Sequence, residues 1–251
     1  MLNDEELLRY SRQILLQQVD VAGQLRLKNS KVLIVGLGGL GSPVALYLAA
    51  AGVGELYLAD FDSLEVSNLQ RQIVHDTAAL GLLKVASAQA RLQGLNPHIA
   101  VQAISEKLTA ENLPNIVQSV DVVVDCSDNF TIRSQLNAAC FASKKILVSG
   151  AAIRTDGQVS VYDPNNTQSP CYHCVFGEGE EEGLTCSEAG VLGPLVGLIG
   201  SLQALEVLKI IAGFGEPLIG RLLLVDALSS RFRELKLRRD PQCKVCGVRH
   251  G

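Results

Sequence analysis

A glycine-rich turn at residues 36–41, with the sequence Gly-Leu-Gly-Gly-Leu-Gly, limits the fold of this chain more than any other feature. The turn follows a short aliphatic run at 31–35 and precedes an alanine-rich run at 42–51. This order predicts a strand, a tight turn and a helix. Glycine lets the main chain approach a phosphate, whose charge is favoured at a helix N-terminus. The turn therefore indicates a nucleotide-binding α/β fold, and the alternative is a tight turn without a ligand.

The rest of the chain continues this pattern and then changes it. Strands are predicted at 55–59, 98–104 and 122–124, and helices at 82–95 and 111–118. After residue 137 strands follow at 145–149, 157–162, 222–226 and 232–237, and the last alternates like a half-exposed antiparallel strand. Residues 5–27 have helical spacing and predict an N-terminal helical arm. The fold class is a Rossmann-like mixed α/β sheet, parallel first and extended by antiparallel C-terminal strands.

Composition excludes several classes of function. A chain of 251 residues with 47% hydrophobic residues buries a continuous core. The net charge of -4, without a basic block, argues against nucleic acid as a partner. The acidic start at residues 1–6 lacks the order of a signal peptide, so we expect a cytoplasmic protein. The uncharged run near 189–205 holds glycines and a proline and is short for a membrane span, which predicts a buried helix.

Charged residues after the second predicted strand distinguish a site for ATP from a site for NAD. Asp60 ends that strand and is placed to accept hydrogen bonds from ribose hydroxyls, as in either nucleotide site. A triphosphate under attack develops charge that cationic side chains stabilise, and Arg71 and Lys84 supply such cations. Taken singly, each of the two is equally well a solvated surface charge. Together they favour ATP.

An acidic residue follows the apolar strand at 122–124. Asp128 lies where the carboxyl edge of the sheet is expected, and ligands bind at that edge in such folds. Mg²⁺ takes one or two carboxylates together with phosphate oxygens, so Asp128 is a candidate magnesium ligand. The alternative is that Asp125 or Asp128 caps the next helix.

Two Cys-x-x-Cys pairs predict a structural metal. The pairs are Cys171 with Cys174 and Cys243 with Cys246, and two such pairs complete the tetrahedral shell that structural zinc prefers. Full occupation leaves no position for a substrate, so the metal clamps the loop near residue 170 to the C-terminal tail. A redox-active pair is the rival, but it does not account for two pairs.

The remaining cysteines and His173 are interpreted separately. Cys186 lies in a polar stretch outside the pairs, where it is either a reactive thiol or a free cysteine without a role. Cys126 and Cys140 lie in apolar surroundings and are expected in the core. His173 stands between two ligands and is expected to be exposed. An odd count of seven cysteines fits a reducing compartment.

With these motifs in order, the chain resembles the E1-like adenylating family of HesA, MoeB and ThiF. The resemblance runs almost end to end, and it includes Asp60, Lys84 and both cysteine pairs. It also includes six short motifs: residues 9–13, Arg-Tyr-Ser-Arg-Gln; residues 36–41; residues 67–72, Ser-Asn-Leu-Gln-Arg-Gln; residues 125–129, Asp-Cys-Ser-Asp-Asn; residues 149–152, Ser-Gly-Ala-Ala; and residues 185–186, Thr-Cys. Residues 149–154 and 186–191 look more like the branch that activates molybdopterin synthase. Residues 178–183 are rich in glycine and glutamate, and they match neither this branch nor the branch of the thiazole pathway.

The resemblance implies ATP-dependent adenylylation of a small ubiquitin-like sulfur-carrier protein that ends in Gly-Gly. The carrier is of the MoaD type, in molybdenum cofactor synthesis, and sulfur is added afterwards by a separate donor. It implies a homodimer, because Arg12 matches an arginine that reaches the other subunit's site. It also implies catalytic roles for Arg12, Arg71, Lys84, Asp128 and Cys186. ATP and its Mg²⁺ are then held by Gly36, Gly38, Gly39, Gly41, Asp60, Asp62, Ser67, Asn68, Gln70, Arg71, Lys84, Asp128 and Asn129, and structural Zn²⁺ by the four paired cysteines.

The expected organisation is one adenylation domain over residues 1–251. Within it, residues 1–30 form the arm, 31–140 the nucleotide-binding part, and 141–251 the carrier-binding part with the zinc site. Three alternatives remain. The carrier is instead of the ThiS type, in thiamine synthesis; the protein is an NAD-dependent oxidoreductase; or it is a non-catalytic module that binds a Gly-Gly tail.

Overall fold

The computed structural model describes residues 1–177 and 189–247. Its N-terminal arm consists of three short helices, α1 (Asp4–Arg9), α2 (Ser11–Ile14) and α3 (Asp20–Lys28). The first break falls at Tyr10, which is buried and accepts a hydrogen bond from Asn96 Nδ2 at 2.8 Å. The second falls before Asp20, which has a left-handed φ of 51°. The predicted helical arm is therefore divided by residues that turn the chain toward the core.

Eight strands form one sheet in the order β3-β2-β1-β4-β5-β6-β7-β8. The pairs among β3, β2, β1, β4 and β5 are parallel, and the pairs from β5 to β8 are antiparallel. This confirms the predicted mixed sheet. The strands are β1 (Lys31–Val35), β2 (Glu55–Ala59), β3 (Ala100–Ile104), β4 (Val122–Asp125), β5 (Ile146–Ile153), β6 (Asp156–Tyr162), β7 (Arg221–Asp226) and β8 (Arg231–Lys236).

Most strands begin and end within one or two residues of the predicted bounds, and β5 and β8 differ from the prediction in larger ways. β5 extends to Ile153, beyond the predicted end at 149, because it continues into a hairpin with β6 through Arg154 at φ 53°. The prediction that the last strand is half-exposed is wrong, since all six residues of β8 are exposed. β8 lies at the edge of the sheet, so its alternating apolar residues have no described layer to cover them.

Helices cover both faces of the sheet. Alternate residues of β1 point into different cores, with Val32 and Ile34 in one and Leu33 and Val35 in the other. The first core also contains residues of α4, α5 and α9, and the second those of α6, α7 and α8. The corresponding bounds are α4 (Gly41–Ala51), α5 (Lys84–Leu95), α6 (Leu113–Gln118), α7 (Phe130–Ala142), α8 (Tyr172–Phe176) and α9 (Gly193–Ala212).

Among the described helices, α9 alone is long and apolar enough to cross a membrane by composition. Its mean hydropathy is 1.8, and half of the apolar window is buried inside the protein. It packs against α4 and against the strands β5 and β6. Burial of this kind is typical of a core helix, as predicted from the glycines and the proline in this run.

Candidate active site and candidate metal centre

The glycine turn is closed by two positions that tolerate no side chain. Gly36 has φ +89°, and a Cβ there would stand 2.7 Å from the carbonyl oxygen of Cys126. A Cβ on Gly41 would stand 1.9 Å from the carbonyl oxygen of Gly36. The turn therefore folds onto itself and onto the segment after β4. This packing places the first residues of α4 at the carboxyl edge of the parallel strands, as the sequence predicts.

Asp60 ties the glycine turn to the end of β2. Its Oδ2 accepts a hydrogen bond from the Leu37 N–H at 2.7 Å, and its Oδ1 accepts one from the Asp62 N–H at 2.9 Å. Each carboxylate oxygen retains a second lone pair for a ligand. Asp60 is half-buried at the predicted position beside the turn. It is thus placed to accept from ribose hydroxyls while it holds the turn in shape.

Lys84 and Asp62 form an ion pair next to this carboxylate. Lys84 begins α5, its side chain is only 8% exposed, and its Nζ lies 2.7 Å from Asp62 Oδ2. The Asp62 side chain is 52% exposed and stands at the rim. The interpretation of Lys84 as a solvated surface charge is therefore wrong. The site contains a buried cation whose partner remains open to solvent.

The segment that carries Arg71 lies between the glycine turn and the start of α9. The Arg71 Nη1 donates to the Ser67 carbonyl at 3.1 Å, and its Cγ lies 3.4 Å from the point where a Cβ on Gly39 would stand. On the other side, the Gln70 carbonyl oxygen lies 2.7 Å from the point where a Cβ on Gly193 would stand. Arg71 is thereby placed beside the turn.

The side chains around Arg71 have different environments. Asn68 ends a 3₁₀ helix, Val66–Asn68, and its Oδ1 accepts from the Glu65 N–H at 3.1 Å. Ser67 and Gln70 are exposed at the surface of the same segment. Gly38 lies beneath Gln72. A Cβ built on Gly38 would stand 3.6 Å from Gln72 Nε2.

Asp128 and Asn129 follow β4 and are both exposed. Asn129 caps α7, since its Oδ1 accepts from the Ile132 N–H at 3.0 Å. The cap of this helix is thus neither Asp125 nor Asp128, as the alternative interpretation supposed. Asp128 stays at the carboxyl edge of the sheet with its carboxylate exposed, where a cation bound to phosphates has access.

A buried polar network supports this edge from below, and the sequence alone did not reveal it. Asp125 is fully buried and accepts from Ser127 Oγ at 2.6 Å and from Ser149 Oγ at 2.8 Å. Arg133 Nε lies 4.0 Å from Asp125 Oδ2, and Gln203 Nε2 donates to the Asp125 carbonyl at 2.7 Å. The available signal was the presence of polar residues on mostly apolar helix faces, with Arg133 in α7 and Gln203 in α9.

His75 is a second buried group that the sequence did not single out. Its Nε2 lies 3.1 Å from the Leu37 carbonyl and its Nδ1 lies 2.9 Å from Ser87 Oγ. The carbonyl only accepts, so we assign the proton to Nε2, and Nδ1 accepts from the Ser87 hydroxyl. Burial lowers the pKa of His75, and the nearby Lys84 cation lowers it further. A neutral imidazole therefore links the glycine turn to α5.

Arg12 is not brought to the glycine turn of its own chain. It is exposed on α2, and its neighbour Gln13 donates to the Ala51 carbonyl at 3.2 Å. Ala51 ends α4, whereas the glycine turn leads into its first residue, Gly41. Eleven helical residues span about 16 Å, so the backbone of Arg12 lies at the far end of α4.

Cys186 and the acidic stretch at 178–183 lie outside the described residues. The interpretation of Cys186 as a reactive thiol stays a prediction. Cys126 and Cys140 are buried, as predicted, and burial raises the pKa of both thiols.

The four paired cysteines come together although Cys243 follows Cys174 by 69 positions along the chain. Their sulfur atoms all lie within 4.8 Å of one another, with 3.8 Å from Cys171 to Cys174, 3.6 Å from Cys171 to Cys243 and 3.3 Å from Cys174 to Cys246. Four sulfurs around a tetrahedral zinc stand about 3.8 Å apart. The donor set and its spacing therefore fit a metal ion.

N–H groups surround this cluster and stabilise thiolate charge. The Asp240 N–H donates to Cys174 Sγ at 3.4 Å, and Asn137 Nδ2 lies 3.7 Å from Cys171 Sγ. Burial opposes ionisation of Cys243, but main-chain N–H groups and the neighbouring thiols lower its pKa to about 6. Burial raises the pKa of Cys171 to about 11 and also raises that of Cys246. His173 is only half-exposed, not exposed as predicted, and its Nδ1 lies 3.5 Å from Cys243 Sγ. It packs beside the ligands without being needed as one.

Comparisons with known proteins agree with this geometry. The ThiF family profile matches residues 10–245. The molybdopterin-synthase adenylyltransferase of Escherichia coli (strain K12) is 51% identical over 246 residues, which cover 98% of each chain. The adenylyltransferase and sulfurtransferase MOCS3 of Drosophila virilis is 47% identical over 98% of this chain and 55% of its own length. A crystal structure of Escherichia coli MccB with ATP has a TM-score of 0.85 at 26% identity, over 96% of this chain and 75% of that chain.

Proposed function

Because this chain belongs to the ThiF family, we propose that it transfers AMP from ATP to the C-terminal Gly-Gly carboxylate of a small ubiquitin-like sulfur carrier. The carrier is of the MoaD type, the small subunit of molybdopterin synthase, and the reaction belongs to molybdenum cofactor synthesis. Pyrophosphate is released. The relatives named molybdopterin-synthase adenylyltransferase, at 48–51% identity over nearly their full length, support this substrate.

One structural observation carries the proposal. A buried cation, Lys84, and a half-buried one, Arg71, stand beside the glycine turn. A site for a dinucleotide has no need of such cations, because main-chain groups hold its two phosphates. A triphosphate that loses pyrophosphate needs them, because negative charge accumulates on the leaving group.

The residues then have distinct tasks. The main chain of residues 36–41 and the start of α4 hold phosphate, Asp60 accepts from the ribose, and Asn68 binds the nucleotide from the opposite segment. Asp128 supplies the carboxylate for Mg²⁺, which neutralises phosphate charge when it is bound. The carrier carboxylate attacks the α-phosphorus and the bond to pyrophosphate breaks. A carboxylate is already ionised near neutral pH, so the step needs positioning and charge stabilisation without a general base.

Arg12 completes the site of a second subunit in this proposal. Its backbone is held at the end of α4 away from the glycine turn of its own chain, which supports a role across an interface. The protein then acts as a homodimer, with each site built from two chains.

The cysteine cluster holds structural zinc in the same proposal. Four sulfur donors fill a tetrahedral shell, so the ion takes no part in adenylyl transfer. It fixes the C-terminal tail to α8, inside the part of the chain, residues 141–251, that we assign to carrier binding. Thiolate ligands persist in a reducing compartment, which supports the cytoplasm as the location. A separate protein donates the sulfur that replaces AMP.

The test is ATP–pyrophosphate exchange with MoaD-type and ThiS-type carriers supplied in turn. We expect the MoaD-type carrier to stimulate exchange at low concentration, and a carrier without its terminal glycine to be inactive. Stimulation by the ThiS-type carrier alone would move the reaction to thiamine synthesis. Carrier binding without exchange would identify a non-catalytic module, and a nicotinamide fluorescence change on titration would favour an oxidoreductase.

A further inference from the structure

Gln72 is buried next to the nucleotide site and has no partner for its amide. The residue is only 3% exposed, and its Oε1 is enclosed without a hydrogen bond. The described part of the chain offers no partner to Nε2 either, although this atom is not enclosed. By contrast, the buried amide of Gln24 donates to the Ala51 carbonyl at 2.9 Å and accepts from Gln13 at 2.6 Å.

Folding does not account for glutamine at this position. A buried amide without a partner destabilises a protein relative to an apolar side chain of the same size. Methionine has nearly the volume of glutamine and carries no such penalty. The amide is thus unexplained by the contacts of the described chain.

The position of the amide points to a ligand. A Cβ built on Gly38 would stand 3.6 Å from Gln72 Nε2, so the amide lies against the glycine turn where the turn has no side chain. The next residue back, Arg71, packs against Gly39 through its Cγ. Gln72 and Arg71 therefore border the same part of the cleft, and Nε2 is the amide atom that reaches it.

We propose that Gln72 binds the phosphates of ATP directly through its Nε2 amide. This inference rests on the proposed function and adds a neutral donor to the cations already named. An amide N–H fixes one phosphate oxygen by direction, whereas Lys84 and Arg71 supply charge. An amide carries both atoms, so placing Nε2 at the cleft also buries Oε1 without a partner, and this burial destabilises the fold.

The test compares Gln72→Met and Gln72→Glu with the unaltered chain. Methionine removes the donor and the enclosed oxygen, and glutamate keeps the shape but replaces the donor by a negative charge. The dissociation constant for ATP is measured by calorimetric titration, and the thermal midpoint is measured without nucleotide. Gln89→Met on α5 is the control, because Gln89 Nε2 donates to the Val101 carbonyl at 2.7 Å, away from the cleft.

We expect Gln72→Met to keep or raise the midpoint and to weaken ATP binding about ten-fold or more, the effect of one hydrogen bond to a charged group. Gln72→Glu weakens binding further, and Gln89→Met leaves it unchanged. ATP affinity within two-fold of the unaltered chain in Gln72→Met would overturn the inference and leave the proposed function intact. Weaker binding that appears only with a lower midpoint would also overturn it. Absence of ATP binding by the unaltered chain would overturn both.

Discussion

Lys84 Nζ and Asp62 Oδ2 lie 2.7 Å apart, with the lysine side chain 8% exposed and the aspartate side chain 52% exposed. The main chain reinforces this pair, since the Lys84 N–H donates to the Asp62 carbonyl at 2.9 Å. A buried ammonium group costs solvation energy unless an anion accompanies it. Asp62 supplies that anion without a nucleotide, and in the proposed function the triphosphate is a second anion.

Arg71→Ala and Lys84→Ala are each expected to reduce pyrophosphate exchange about a hundred-fold or more, because each removes charge that stabilises the leaving group. Circular dichroism should show an intact fold. The control is Lys31→Ala, since Lys31 pairs with Glu55 at the amino end of the sheet. Unchanged exchange in both site variants would remove the mechanism.

Gly41→Ala is expected to destabilise the fold, because its Cβ would meet the Gly36 carbonyl oxygen at 1.9 Å. Overpacking of this kind costs about 2–3 kcal/mol in the free energy of unfolding. Gly94→Ala should have the opposite sign, since nothing lies within 4 Å of its Cβ and alanine favours a helix by about 0.5–1 kcal/mol. Chemical denaturation measures both, and equal effects would contradict the turn geometry.

His75 should make stability depend on pH. Burial, aided by the Lys84 cation, lowers its pKa from 6.5, whereas the Leu37 carbonyl and the nearby Asp60 and Asp76 act in the opposite direction. On acidification the unfolded chain therefore binds a proton at His75 before the folded chain does. The free energy of unfolding falls as the pH drops below 6.5, by at most about 1.4 kcal/mol per pH unit.

Thermal midpoints between pH 5 and pH 8 test this for the unaltered chain and for His75→Asn. The variant loses the ionisable ring, so its midpoint should fall less steeply on acidification. A slope equal to that of the unaltered chain would show that His75 does not cause the pH dependence.

The cysteine cluster is expected to bind about one zinc ion per chain, measured by elemental analysis of the purified protein. A strong chelator should lower the thermal midpoint of the unaltered chain and should have no effect on a Cys174→Ser variant that already lacks the metal. Cys140→Ala, at a buried thiol outside the cluster, should keep its zinc. Full stability after metal removal would exclude a structural role.

The buried network below the cleft should be sensitive to loss of one partner. Arg133→Met leaves the fully buried Asp125 without its cation and is expected to cost about 3–5 kcal/mol in unfolding free energy. Arg221→Met breaks a surface pair with Glu234 and should cost no more than about 1 kcal/mol. Denaturant midpoints distinguish the two, and similar losses would contradict the assignment of a buried pair.

Local patterns predicted most of the elements. β2 was predicted at 55–59 and is observed at Glu55–Ala59, because alternation and flanking turns are encoded within a few residues. The glycine turn, Asp60 and the two cysteine pairs were also found at the expected places, since each depends on short spacing. The exposure of β8 was missed, because exposure depends on what the rest of the chain leaves uncovered.

The sequence by itself determined the order of strands and helices, the glycine turn and the two cysteine pairs, since each depends on neighbouring residues. Only the tertiary structure decided which charges are buried. Lys84 and Lys31 look alike in the sequence, yet one side chain is 8% exposed and the other 47%. The same holds for Asp125, Arg133 and Gln203, which meet because β4, α7 and α9 pack together. Burial and pairing are properties of distant segments in contact, and no local pattern carries them.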